Sequence, residues 1–231
     1  MFMIYGNLFA QSLEVTYVEK TDLSSQLAQI TDPRIRMMVQ NKLPKEKLYL
    51  LSYYGNKSLY KGIRKKEGGH ENAGKVYVYG GGQIVYKDLG KKQLIKQTDF
   101  LGRTFLISDP LPAFKWHITS DTMHIGHYVC RKATAVFKDK RIEAWFTADI
   151  PVSDGPAIYW GLPGLILRIK AGNTIIEATE IKFSRQPLVI QAPRKGKKVT
   201  DREFQKIREE KIKALTGNGG DNGSKIKVIR M

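Results

Sequence analysis

The sequence predicts a mainly β protein: a single antiparallel sheet curved into an open barrel or sandwich, with a short N-terminal helix and a C-terminal helix. Three observations support this prediction. Short apolar segments with strand-like alternation recur about every ten residues. The turns between them are short, so consecutive strands form antiparallel hairpins. The chain has 231 residues and is 42% hydrophobic, which suits one folded domain and excludes a disordered chain.

The first ten residues, MFMIYGNLFA, form an apolar stretch that ends in a small residue, Ala10. This pattern predicts the end of a signal peptide, with the mature chain starting near Gln11. The usual positively charged start is missing, and Leu8 stands where a small residue is preferred. We therefore interpret residues 1–10 as the remnant of a longer signal and expect a periplasmic, outer-membrane-associated or secreted protein. The alternative, an ordinary first strand, stays open. No transmembrane segment is predicted, because no stretch approaches about 20 apolar residues.

The elements that follow begin with a strand and a short helix. Residues 13–20 alternate between apolar and polar side chains, as a half-buried strand does. Asp32 can accept backbone N–H bonds as a helix N-cap, and Pro33 loses no hydrogen bond at the first helical position. Pro44 ends the run. This pattern predicts a short helix that covers one side of the sheet.

The middle of the chain predicts a series of hairpins. Gly172 and Asn173 are a strong two-residue turn signal. Gly80, Gly81 and Gly82 allow a tight reversal of the backbone, so a turn is predicted there as well. The predicted strand pairs are 48–54 with 59–63, 76–79 with 84–86, 128–137 with 141–147, and 165–170 with 174–183.

The C-terminal part differs in composition from the rest. Residues 193–198 are a basic linker, and Thr200 and Glu203 then form a capping box that starts a helix. Gly217 is a natural helix stop. The predicted domain organisation is therefore a signal remnant at 1–10, a β-rich domain at 11–192, and a linker, helix and flexible tail at 193–231.

The chain carries 39 basic and 22 acidic residues, a formal charge of +17. Such a charge attracts nucleic acid or acidic polysaccharide, and it equally keeps a protein soluble. Polyanion binding through the basic tail is therefore an alternative function, although no specific nucleic acid is predicted as a partner.

The most unusual segment is 145–169, WFTADIPVSDGPAIYWGLPGLILRI, where three prolines and three glycines interrupt the strand pattern. Its residues 161–166 read GLPGLI, and on this motif the sequence resembles the GLPGLI family. The similarity extends over 116–118, 125–134, 144–147, 150–151 and 154–156. One departure is Lys140, which stands where the family usually has a glycine before Arg141. The resemblance implies an exported envelope protein of Bacteroidota, in a family largely without assigned function, and implies no activity.

Two sets of candidate site residues lie in or near this segment. The first is a structural turn that aims Leu165, Leu167 and Ile169 into the core. It consists of Gly161, Leu162, Pro163, Gly164, Leu165 and Ile166. The second set is a candidate binding surface of Trp116, Tyr128, Trp145, Pro151, Asp154, Gly155, Pro156 and Trp160. Trp145 shares a strand face with Arg141 and Glu143, which favours a groove for that tryptophan. The alternative is that the tryptophans build the main core.

An enzyme is the first alternative function. His117, His124, His127 and Cys130 lie within fourteen residues, which invites a metal site or a Cys–His dyad. In a regular strand, however, His127 and Cys130 point to opposite faces, and no carboxylate stands at familiar metal-ligand spacing. A nucleophile elbow of the G-x-S-x-G type is absent from the sequence. We therefore predict no catalytic residue, no metal and no cofactor, with surface histidines and a buried thiol.

These observations predict an exported, non-enzymatic envelope protein that binds a ligand or a partner protein. The concave face of the sheet and the Gly/Pro turns are its expected binding regions. The ligand, the partner and the oligomeric state are not specified by the sequence. With a single cysteine, Cys130, the chain can form no intramolecular disulfide.

Overall fold

The computed structural model describes residues 12–22, 24–28, 30–34, 36–37, 46–65 and 77–217. The predicted signal remnant at 1–10 and the tail beyond Gly217 lie outside the described residues. Residues 38–44, the second half of the predicted N-terminal helix, also lie outside the described residues.

The described residues form one large sheet of twelve strands that does not close on itself. The strands are β1 (Ser12–Thr21), β2 (Lys47–Tyr54), β3 (Lys57–Lys65), β4 (Tyr77–Asp88), β5 (Gln93–Phe100), β6 (Arg103–Pro110), β7 (His117–Ile125), β8 (Tyr128–Phe137), β9 (Lys140–Thr147), β10 (Leu165–Ala171), β11 (Thr174–Ser184) and β12 (Lys197–Val199). Their order is β12-β6-β5-β4-β3-β2-β1-β11-β10-β9-β8-β7. Strand β1 is therefore central and joins two antiparallel meanders, β2–β6 and β7–β11. The mainly β, antiparallel prediction is confirmed.

Strand β12 is the exception to the antiparallel pairing. It lies parallel to β6 and pairs over three residues only, Lys197 with Phe105 through Val199 with Ile107. Part of the segment predicted as a basic linker is thus an edge strand. Gly196, directly before β12, passes close to the β6 backbone, and a Cβ there would lie 2.9 Å from the carbonyl carbon of Phe105.

The predicted reversal at Gly80–Gly82 is wrong. Strand β4 runs through these glycines without turning, and its pairing with β3 shifts register between Lys61 and Ile63. The freedom of the glycine backbone is used here for a β-bulge, which bends a strand without ending it. The hairpin turn predicted at Gly172-Asn173 is present, and Gly172 has a φ of 59°.

The sheet curls so that strands distant in its order meet. Lys96 on β5 and Lys138 in the β8–β9 turn both bind Asp201, at 2.6 and 2.8 Å. Residues 111–116 join β6, near one edge, to β7 at the other, and six residues span at most about 25 Å. In a flat sheet with strands about 4.8 Å apart, β6 and β7 would lie about 50 Å apart. The sheet is therefore an open, strongly curved one.

The curved sheet buries apolar side chains on both faces. The first cluster, which we call the inner core, lies on the concave face and is formed by Leu13, Val15, Tyr17, Leu51, Tyr60, Val85, Leu94, Leu111, Ile125, Cys130, Ile150, Leu165, Leu167 and Ile176. The second, the outer core, is formed by Ala133, Ile142, Ala144, Phe146, Leu162, Ile166 and Ile169. Strand β10 contributes to both clusters, which matches its nearly continuous apolar sequence.

Helical structure is minor. A single turn, α1 (Ser24–Leu27), follows β1. Asp32 accepts the N–H of Arg34 at 2.8 Å, the predicted cap geometry, and residues 33–34 and 36–37 are helical. The rest of the predicted short N-terminal helix lies outside the described residues, so the helix as a whole is not confirmed.

The predicted C-terminal helix is present as α2 (Asp201–Gly217). Its capping box forms as expected: the N–H of Glu203 donates to Thr200 Oγ1 at 3.2 Å, and the N–H of Thr200 donates to Glu203 Oε2 at 2.7 Å. Phe204 packs against Phe105 and Ile107 in a third, smaller cluster. The helix is thus docked on β6 through its first turns.

Candidate functional site

The segment between β9 and β10, residues 148–164, is the Gly/Pro loop predicted from the sequence. Successive tight turns fold it: the N–H of Val152 donates to Ile150 O at 2.7 Å, and the N–H of Asp154 donates to Val152 O at 2.7 Å. Ile150 and Leu162 are buried, one in each core. The loop is therefore packed into the molecule and is not an open surface segment.

Gly164 closes the Gly/Pro loop at a point of very close backbone contact. Its φ is 152°, and a Cβ atom placed there would lie 2.1 Å from the carbonyl oxygen of Thr147. No side chain fits at that distance, so glycine is required by both conformation and space. Gly155 is a second close approach, where a Cβ would lie 2.7 Å from Cβ of Ile166.

The strand that follows this turn differs from the prediction in one respect. Leu165 and Leu167 point into the inner core as predicted, but Ile169 points into the outer core together with Ile166. The cause is a register shift between Ile166 and Arg168 in the pairing of β10 with β9. A bulge of this kind moves the following residues to the other face.

A buried ion pair anchors the Gly/Pro loop to β4. Lys87 Nζ lies 2.5 Å from Asp154 Oδ1, and both side chains are completely buried. Lys87 Nζ also donates to the carbonyl oxygens of Gly155, at 2.6 Å, and Tyr159, at 3.3 Å. Three acceptors around one amine explain how a lysine is tolerated in this interior.

The surroundings of the pair perturb several pKa values. Burial lowers the pKa of Lys87, and the charge and hydrogen bond of Asp154 only partly oppose that effect. Burial raises the pKa of Tyr17 well above its ordinary value, and the Asp154 carboxylate raises it further. The hydroxyl of Tyr17 donates to Ile166 O at 2.7 Å. The central strand β1 thus contacts the start of β10, directly after the loop.

Sequence reasoning missed Lys87. One signal was present: strand alternation places it on the face of Val85, which is buried. Its partner, Asp154, lies far along the chain in the Gly/Pro loop, so the pairing could not be predicted from the local sequence pattern.

Two of the predicted tryptophans brace the Gly/Pro loop against the β6–β7 connection. Trp116 Nε1 donates to Trp160 O at 2.9 Å, and Trp160 Nε1 donates to Pro112 O at 2.7 Å. Each indole is half-buried, one against the outer core and one against the inner core. These reciprocal bonds fasten two loops to each other, which is a structural role.

The structure divides the remaining predicted surface residues. Asp154, Gly155 and Pro156 are buried, whereas Pro151 is exposed and Tyr128 is half-buried. The predicted set is therefore not one continuous open surface.

Trp145 lies apart from the loop, on β9, among charged side chains. Lys132 and Arg168 are its partners on the neighbouring strands β8 and β10. Its Nε1 donates to Glu143 Oε1 at 3.1 Å, and Lys132 Nζ lies 5.6 Å from the centre of its ring. We call Lys132, Glu143, Trp145, Arg168 and Glu177 the Trp145 patch. As the sequence indicated, Trp145 faces a mixed, partly exposed surface.

The charges of the Trp145 patch are largely paired within it. Lys132 lies 3.2 Å from Glu143, and Arg168 lies 2.7 Å from Glu177. Burial alone would raise the pKa of Glu143, but hydrogen bonds from Trp145 and Lys132 outweigh it and lower that pKa. The patch therefore presents an aromatic ring held in place by fixed hydrogen-bonding groups, with little net charge.

Cys130 and the histidines are arranged as the sequence predicted for a structural thiol. Cys130 is fully buried in the inner core, and burial raises its pKa to about 11. It pairs with Met123 across the β7–β8 hairpin, while His124 pairs with Val129 and so points to the other face. Within the described ranges, no three histidine, cysteine or acidic side chains come together.

Comparisons with known proteins give a similar fold and a partial match to one family model. A family model described as "Protein of unknown function (Porph_ging)" matches residues 135–168, a minor part of the chain that includes the GLPGLI motif. The GLPGLI family name itself is not confirmed. No curated protein matches the chain. In the described part, no helix is long and apolar enough to cross a bilayer.

Two solved structures of PNGF-II, in space groups C2 and P21, share the fold. Their TM-scores are 0.52 and 0.54, each at 18% sequence identity over 85% of this chain. The matches cover 32% and 33% of those chains, so this chain spans about a third of their length. At this identity the similarity concerns the fold alone.

Proposed function

We propose that the chain is an exported, non-enzymatic binding module of the cell envelope, and that the Trp145 patch is its binding surface. The observation that carries the proposal is Trp145 itself, a half-buried aromatic ring on the concave face with its indole N–H and both flanking strands fixed by hydrogen bonds and ion pairs. An aromatic ring that is already held in place binds a ligand at low entropic cost. The buried, weakly acidic Cys130 thiol supports a role without nucleophilic catalysis.

The binding surface is tested with two single variants of the tagged chain. Trp145→Ala removes the ring of the patch, and Phe183→Ala removes an exposed aromatic side chain outside it. Because the Trp145 ring packs against the inner core, Trp145→Ala should melt at a lower temperature than the parent, so binding is compared at a temperature at which melts show all three proteins to be folded. Bound material from a native-host envelope extract should be lost with Trp145→Ala and kept with Phe183→Ala. Equal retention by all three proteins contradicts the assignment.

Export and the absence of nucleophilic catalysis have their own tests. N-terminal sequencing of protein from the native host should start at or near Gln11, and a retained Met1 in a cytosolic fraction contradicts export.

Alkylation of native Cys130 by iodoacetamide should be slow at pH 8 and fast after unfolding. Rapid alkylation of the folded protein would favour the alternative of a thiol enzyme.

A second candidate function is polyanion binding, because the edge strand β12 and its approach carry exposed basic side chains. These are Arg194, Lys195, Lys197 and Lys198. Retention on phosphocellulose should then fall steeply with salt. Retention equal to that of a variant with all four residues changed to glutamine would exclude this function.

A further inference from the structure

We propose that Lys87 and Asp154 become joined by an amide bond between Lys87 Nζ and Asp154 Cγ, a covalent cross-link between β4 and the Gly/Pro loop. The two groups are held in contact, with Nζ 2.5 Å from Oδ1, and neither side chain is exposed to solvent. Reactive groups fixed in contact react far faster than the same groups in solution. The dry interior also removes the water that would compete for the carboxyl group.

The Lys87 amine has the surroundings of a nucleophile. The carbonyl oxygens of Gly155 and Tyr159 accept hydrogen bonds from Nζ. A neutral amine has two N–H donors, so these two acceptors hold it and leave its lone pair for the third neighbour, the Asp154 carboxyl group. Burial lowers the pKa of Lys87, which favours this neutral form.

The Asp154 carboxyl group has the surroundings of an acceptor. The N–H of Gly155 donates to Oδ1 at 2.8 Å, and such a donor draws electron density from the carboxyl group and so makes Cγ easier to attack. Oδ2 is buried and accepts no hydrogen bond from any described residue. A buried carboxylate oxygen without a donor destabilises the folded state, so conversion of the charged pair to a neutral amide removes a destabilising charge.

The reaction balances without any co-reactant. A proton first moves from the Lys87 ammonium to Asp154 Oδ1, the oxygen in contact with Nζ, which gives a neutral amine and a carboxylic acid. The bond between Nζ and Cγ then forms, and a second proton passes from Nζ to Oδ1. Oδ1 leaves as water when its bond to Cγ breaks, and Oδ2 remains as the amide oxygen. One water molecule is lost, and nothing is oxidised or reduced.

The cross-link also suits the chain as a whole. The sequence has a single cysteine, Cys130, so a disulfide within the chain is impossible. An amide between β4 and the Gly/Pro loop would fasten the two meanders of the sheet together in the way that a disulfide does elsewhere.

Intact mass measurement of the purified full-length chain under denaturing conditions tests the proposal. After incubation of the folded protein, the expected mass is lower by about 18 Da than the linear sequence requires, the mass of the water lost when the lysine amine acylates. Tandem mass spectrometry of a digest should show a branched peptide that contains both Lys87 and Asp154. The Lys96–Asp201 pair is the internal control: its distance is similar, 2.6 Å, but it is partly exposed, and it should stay linear.

Two single variants identify the side chains that react. Lys87→Met should have the mass of its own sequence without loss of water, a result that does not depend on folding because the mass is read after denaturation. Asp154→Asn should lose ammonia instead, about 17 Da, because the side-chain amide is then the leaving group in the same acyl transfer. A linear mass with only linear peptides from the parent protein overturns the proposal. So does a water loss that persists in Lys87→Met, because the dehydrated site would then lie elsewhere.

Discussion

At the scale of single residues, Gly164 is the described glycine at which an added Cβ would lie closest to a neighbouring atom. We predict that Gly164→Val lowers the free energy of unfolding by about 2 kcal/mol or more, a backbone-strain effect. The reason is the 2.1 Å separation between its Cβ position and a backbone oxygen. Gly90→Val is the matched control, because a Cβ there meets one side-chain oxygen at 3.5 Å, an ordinary contact. Denaturant melts of both variants measure the difference, and equal midpoints would contradict the prediction.

Lys87 is the second residue with a large expected effect. Lys87→Met removes the proposed cross-link and also leaves the Asp154 carboxylate buried without its partner, and the second effect alone costs about 3–5 kcal/mol. The double variant Lys87→Met with Asp154→Leu should recover the part of the loss that comes from the unpaired charge, since an apolar pair of similar volume needs no compensation. Urea melts of the parent, single and double variants separate the two effects. A double variant no more stable than the single one would show that the unpaired charge contributes nothing to the loss.

The Asp201 carboxylate makes the stability of the folded protein depend on pH. Burial alone would raise the pKa of Asp201, but hydrogen bonds from Lys138 and Lys96 outweigh it and lower that pKa from 3.8 to about 2. A carboxylate with a lowered folded-state pKa contributes stability above its unfolded pKa and loses it as the pH falls towards the folded value. We therefore expect Asp201→Asn to cost about 1 kcal/mol at pH 5, allowing for solvent screening, and almost nothing near pH 2. Melts of both proteins between pH 5 and 2 measure this, and a constant difference would exclude the carboxylate charge as the cause.

At the scale of elements, α2 is attached but does not complete the main cores. Phe204 packs with Phe105 and Ile107 in its own small cluster, so neither the inner nor the outer core loses a member when the helix is removed. We predict that truncation before Lys195 keeps a single cooperative thermal transition and lowers its midpoint by about 5–10 °C. Differential scanning calorimetry checks this result. Loss of the transition would show that β12 and α2 are needed for folding.

The elements that the sequence predicted well are those with local causes. The turn at Gly172-Asn173 and the capping box at Thr200 are formed by neighbours in sequence, so their chemistry is visible there. The bulge at Gly80–Gly82 was mistaken for a turn because glycine permits both, and only the pairing of β4 with β3 decides between them. The same limit applies to Ile169, whose face depends on a register shift against β9.

At the scale of the whole molecule, the candidate site was predicted less well than the fold. Trp145 could be placed on a mixed face because alternation along one strand decides it. Asp154 could not be recognised as buried, because its partner Lys87 belongs to another hairpin on the far side of the central strand. Strand order, curvature and long-range ion pairs are properties of the assembled sheet. A sequence pattern with a period of two residues does not contain them.

The central position of β1 has a consequence for how the molecule acquires its structure. Ser12 pairs with Ser184 and, through the neighbouring residue Leu13, β1 also pairs with Tyr53 of β2. The hydroxyl of Ser12 bonds a carbonyl 172 positions away. Contacts between such distant parts of a chain make folding slow, because a very large loop must close before they form. During synthesis, β1 therefore cannot complete its pairing until β11, residues Thr174–Ser184, has been made.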